Sequence, residues 1–180
     1  WAADIQAFCN AKEIDQFMVC GLSGGGPYAL SCAYYLQDRV VAVTVLGGVA
    51  PTRGEDAADG GIVALARVAG PLVKRLRVPL NRVLLTLVRS MENRVDGAMN
   101  AFARLMPPGD QAVFEDPSIR YMFEDDIMLA SRRQMQAMLH DVVIFGMDWG
   151  FLLSQIDTPV YLLYGDADNI VPLEHGQHRA

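Results

Sequence analysis

The stretch CGLSGGGPYAL, residues 20–30, sets one hydroxyl, that of Ser23, among four glycines at the end of an apolar run. Gly21-Leu22-Ser23-Gly24-Gly25 fits the pattern G-x-S-x-G, in which a strand turns sharply into a helix and holds a serine out of the backbone. Small neighbours suit such a bend, because a side chain two residues to either side would meet the adjoining strand or helix. The serine is then driven into a strained conformation with its Oγ exposed at the carboxyl end of the sheet. Gly24 adds a backbone N–H at the amino end of the following helix, where the dipole favours a developing oxyanion. A phosphate-cradling turn is the rival reading. It lacks both G-x-G-x-x-G and a Lys-Ser/Thr after the glycines.

The elements around the turn are those it requires. WAADIQAFCNAKEI spaces Trp1, Ile5, Phe8 and Cys9 at helical intervals. Gln16–Gly21 is short, apolar and glycine-stopped, as a buried strand is. GPYALSCAYYLQD reads as a helix with Pro27 in its first turn, and RVVAVTVLGG as a β-branched strand. Strand, helix and strand in this order predict a right-handed parallel crossover. Beyond Pro51 leucine, valine, alanine and arginine recur at helical spacing from Ile62 to about Met106, with a basic excess against only Glu92 and Asp96. MPPGDQAVFEDP breaks that pattern. Helices resume near SIRYMFEDD and SRRQMQAMLHDVVIFGM, and a strand returns at TPVYLLYG.

Taken together, GLSGGGPYALSCAYYLQDRVVAVTVLGGVAP and TPVYLLYGDADNIVP resemble the α/β-hydrolase superfamily, in its serine-nucleophile, esterase-like branch with helical caps. The resemblance implies a partial α/β-hydrolase fold: a parallel sheet of three strands in sequential order, flanking helices and a helical cap insertion. It divides the chain into a core part with the nucleophile elbow at 1–51, a cap at 52–156, and a core strand with an acid loop at 157–180. Ser23 becomes the nucleophile and Gly24 an oxyanion donor. The family acid lies in a loop patterned G-x-x-D-x-x-V-P, which Gly165, Asp168, Val171 and Pro172 match, so Asp168 is the candidate acid. Asp166 is a weaker alternative, and Glu55 and Asp56 are remote ones. Plain Asx turns would account for the same aspartates.

A serine hydroxyl needs a histidine to take its proton and a carboxylate to orient that histidine. The resemblance puts the histidine after one further strand. His175 and His178 stand on the short helix after the acid loop, where they read as surface residues, and His140 falls in the cap. The expectation is therefore an internal fragment, without the opening strands, the second oxyanion donor and the segment carrying the histidine, and inactive as it stands.

Composition sets the remaining bounds. With 180 residues and 52% hydrophobic content the chain can bury a core. A net charge of −6 without a concentrated basic stripe argues against nucleic acid as a partner. Three cysteines without a CxxC pair read as reduced, buried thiols of a cytoplasmic protein. No apolar run is long enough to span a bilayer, and WAADIQAF is no basic leader. The cap stretch VPLNRVLLTLVRSM suits either a lid over an apolar acyl pocket or a helix packed between neighbours. The resulting expectation is hydrolysis of a small-molecule carboxylic ester or related acyl compound, with no metal or organic cofactor. Two rivals stay open: a non-catalytic binding protein that keeps the elbow as scaffold, and a chance elbow in an unrelated doubly wound domain.

Overall fold

The structure, a computed structural model, describes residues 1–58, 60–91, 95–104, 106–131 and 136–177. Glu92 and His178, singled out above, lie outside them. Contacts divide the chain into two compact units, 1–70 with 144–180, and 71–143. The second unit is narrower than the span 52–156 expected of a cap, since residues 52–70 and 144–156 group with the first.

The first unit is built on three parallel strands, β1 Phe17–Leu22, β2 Val40–Leu46 and β3 Val160–Leu163, in the order β1-β2-β3. Helix α1, Ala2–Ala11, precedes β1, and α2, Gly26–Tyr35, is the crossover to β2. Pro27 occupies the first turn of α2, where a missing N–H breaks no intrahelical bond. Ala29, Cys32 and Ala33 bring α2 close to the sheet, and all three are buried against Val43 and Val45 of β2. Arg39 fastens the start of β2 to the end of α1. Its guanidinium donates to the Asp15 carbonyl at 3.0 Å, to Asn10 Oδ1 at 2.6 Å and to the Ile14 carbonyl. The segment before β3 completes this side, with the Phe151 ring stacked on Tyr34 at 4.8 Å between centroids.

The helices cover one face of the sheet. Register pairs Met18 with Ala42, Cys20 with Thr44 and Leu22 with Leu46, then Thr44 with Tyr161 and Leu46 with Leu163, so these residues share the other face. There Met18 is 76% exposed, Leu22 69% and Tyr161 60%. The expectation of a wholly buried strand at 16–21 is corrected accordingly: β1 alternates. Cys20 is likewise exposed, while Cys9 and Cys32 are the buried thiols. Phe8, expected on the inner stripe of α1, is also exposed, and Cys9 and Ala2 face inward.

In the second unit, α3 (Gly61–Met91, whose residues from Pro71 belong here) bends at Leu76, which has φ −101° and ψ 15°. Pro79 explains the bend: it donates no N–H to the Arg75 carbonyl, and its ring crowds that carbonyl. Helices α4 Val95–Ala103, α5 Pro108–Phe114 and α6 Pro117–Ser131 follow. Helix α5 forms within a stretch expected to be irregular, because its prolines fall at the N-cap and first helical position. Asp116 caps α6, accepting from Ser118 N at 2.8 Å and Ser118 Oγ at 2.6 Å. Those bonds hold its carboxyl below the usual carboxylate range. Arg120 of α6 donates to Asn100 of α4 at 2.8 Å. Helix α7, Gln136–Phe145, leads back to the first unit, and α8, Glu174–Gln177, closes the described chain. Among the described residues no helix is long and apolar enough to cross a membrane.

Candidate active site

Ser23 follows β1 directly and takes φ +50°, the left-handed region that costs a non-glycine residue roughly 1–3 kcal/mol. Its side chain is exposed, and its carbonyl accepts from Val49 N at 3.3 Å, which ties the bend to the loop after β2. Gly21 explains why the bend closes: a Cβ there would stand 2.5 Å from the Gly25 carbonyl oxygen and 2.9 Å from Ala29 Cβ. Gly25 behaves differently from the expectation that side chains on both sides would collide. A Cβ at Gly25 meets nothing within 4 Å, because it points away from the bend that its own backbone helps to close. Gly24 lies in the helical turn Ser23–Gly25, within the first residues, where backbone N–H groups have no intrahelical acceptor. A Cβ on it would stand 3.0 Å from Phe145 Cζ.

Register fixes the rim on which these groups lie. Leu22, Leu46 and Leu163 form the last aligned rung, so Ser23, Gly47 and Tyr164 are the first residues beyond it at the carboxyl ends of the strands. Adjacent strands lie about 4.8 Å apart, which sets Ser23 roughly 10 Å from Tyr164 across the rim. Asp168, in the loop after β3, is half-buried. Its Oδ1 accepts from Ile170 N at 2.8 Å and Val171 N at 3.0 Å, the Asx-type bonding foreseen as the bland reading. Its Oδ2 turns instead toward the middle strand, 3.6 Å from where a Cβ on Gly47 would stand. Gly47 itself takes φ +51°. One aspartate thus both braces its own loop and presents an oxygen on the rim that carries Ser23. Of the alternatives, Asp166 and Glu55 are exposed, and Asp56 Oδ2 accepts from Leu153 N at 2.6 Å, inside a loop tie.

His175 is not the surface residue the sequence suggested. It is 1% exposed, its Nδ1 accepts from Ala50 N at 3.1 Å, and its Nε2 faces the Gly60 carbonyl at 3.3 Å. That pairing assigns the proton to Nε2 and leaves neither ring nitrogen for Ser23. The reason is tertiary: the loop after β2 needs an acceptor for Ala50 N–H, and α8 brings the imidazole to it. His140 is exposed and belongs to the second unit.

Tyr164 was not singled out from the sequence. Its hydroxyl donates to the Gly48 carbonyl at 2.6 Å, and its ring packs so closely on Gly176 that a Cβ there would come within 2.6 Å. Burial raises its phenol above the ordinary tyrosine value. The paired glycines Gly47-Gly48 were the available signal. Trp149 packs against the core beside Phe151, with ring centroids 5.9 Å apart.

No protein-family model and no curated protein matches the sequence. Solved structures do match its fold. A hydrolase from Pseudomonas aeruginosa PA01 superposes with a TM-score of 0.62 at 17% identity, over 99% of this chain and 57% of its own. A bromoperoxidase from Bacillus anthracis gives 0.59 at 18%, over 97% and 58%. An alpha/beta hydrolase fold protein from Nakamurella multipartita gives 0.53 at 18%, over 99% and 61%. The chain has the α/β-hydrolase fold in part, spanning less than two thirds of the length of these structures.

Proposed function

We infer that the chain carries the nucleophile and the acid of a serine hydrolase acting on carboxylic esters or related acyl compounds. The observation that carries this reading is the left-handed, exposed Ser23 on the same rim as Asp168 Oδ2. Ser23 Oγ attacks the acyl carbonyl and passes its proton to a histidine. Gly24 N–H stabilises the oxyanion that forms on the carbonyl oxygen. The histidine then protonates the departing alcohol, and a water attacks the acyl-enzyme under the same base to release the acid. Asp168 Oδ2 orients the imidazole and stabilises its cation. That imidazole is not His175, which is committed to Ala50 and Gly60. The hydrolase among the similar structures agrees with this reaction type.

The experiment is covalent labelling of the full-length protein with a serine-directed fluorophosphonate, alongside turnover of p-nitrophenyl esters. Labelling and turnover are expected, and Ser23→Ala abolishes both. Asp168→Asn lowers kcat by about ten-thousand-fold, as amidation of the orienting carboxylate does in such a triad. An unlabelled protein with no esterase activity would instead be a binding protein that uses the elbow as scaffold.

A further inference from the structure

Phe145 stands out because two independent features fix it beside the elbow. Its ring is the neighbour of Gly24, with Cζ 3.0 Å and Cε2 3.2 Å from where a Cβ on that glycine would be. Its backbone is clamped by the loop that leaves β2. The buried Thr52 Oγ1 donates to the Phe145 carbonyl at 2.5 Å, and Arg53 Nε donates to the Gly146 carbonyl at 2.7 Å. On its other side the ring meets the Tyr28 ring edge-on at 6.3 Å between centroids. Neither backbone clamp concerns the ring, and the ring contacts need no clamp. Together they hold an aromatic wall against the peptide that follows the nucleophile.

We propose that Phe145 is a specificity-determining residue that limits the acyl group at Ser23 to short, unbranched chains. This inference rests on the serine hydrolase reading. In the acyl-enzyme the carbonyl carbon is bonded to Ser23 Oγ and its oxygen points at Gly24 N–H. The first carbons of the acyl chain are then neighbours of whatever covers Gly24. Glycine at position 24 admits the ring to full contact, which leaves little width for a branch or a long chain on that side. Any larger residue at 24 would push the ring away. The pair Gly24 and Phe145 therefore acts as one element of shape.

The test compares acetyl, butyryl, pivaloyl and octanoyl p-nitrophenyl esters on the full-length protein and its Phe145→Ala and Phe145→Leu variants, with urea midpoints measured beside the kinetics. The wild type is expected to prefer acetyl. Phe145→Ala raises the ratio of kcat/KM for octanoyl over acetyl on the order of tenfold or more, and Phe145→Leu raises it less. Adding Gly24→Ala to Phe145→Ala brings back part of the acetyl preference, because the methyl refills the opened space. A labelled Ser23 with the same acyl profile in all variants overturns this inference alone. Absence of labelling and turnover in the wild type overturns it together with the function it rests on.

Discussion

At the scale of single residues, the bend at Ser23 rests on two glycines with unequal duties. A methyl group at Gly21 has backbone carbonyl 2.5 Å away and nowhere to move, whereas one at Gly25 enters open space. Gly21→Ala is therefore expected to destabilise the protein by about 2–3 kcal/mol through overpacking, and Gly25→Ala to stay within about 0.5 kcal/mol. Urea midpoints of the two variants check this, and equal losses would refute the steric account. The pattern G-x-S-x-G was readable in the chain because every collision that enforces it lies within a few residues. The inequality between the glycines was not readable, since it depends on which way each Cα–Cβ bond points after the turn has closed.

Between elements, the loops after β2 and β3 hold one another. Tyr164 donates to Gly48, His175 accepts from Ala50, and Asp168 Oδ2 lies over Gly47. The buried Tyr164 phenol has a raised pKa in the folded chain because the phenolate would lose its hydration. The folded state then keeps this proton where the unfolded chain has already lost it. Its contribution is fully present below the ordinary tyrosine value near pH 10 and is lost as pH rises through the folded value. Unfolding free energy is expected to fall as pH rises above the ordinary tyrosine value near 10, with a shallower fall in Tyr164→Phe. Urea titrations at several alkaline pH values measure the two slopes, and parallel slopes would remove Tyr164 as the cause. Strand β2 was legible from its β-branched run, and β1 and β3 from short apolar runs ending near glycine. The latch between their loops was not, because a tyrosine one residue past a strand carries no mark of its partner.

For the whole molecule, the exposed sheet face is the main feature. Met18, Leu22, Tyr161 and Leu163 present apolar surface on one side of three strands whose other side is covered by helices. Such a face drives association in water. The 180-residue chain expressed alone is expected to self-associate, and the pair Met18→Lys and Leu22→Glu to reduce its association markedly, by light scattering. A monodisperse monomer that the two charges leave unchanged would contradict this. Neither the alternation of β1 nor the side that is covered was legible in its apolar run, because both follow from where α1, α2 and the segment around Phe151 pack.

The amino-acid sequence by itself marked the bend at Ser23, the β1–α2–β2 crossover and the turn around Asp168, because each depends on sterics and hydrogen bonds among residues near one another in the chain. Only the tertiary structure decided that Asp168 turns an oxygen toward β2, that His175 is spent on a backbone N–H 125 residues away, and that Phe145 stands over Gly24. Those outcomes belong to contacts between loops distant along the chain. Loop closure grows only slowly more costly with length, so local sequence leaves many such pairings open and packing selects among them.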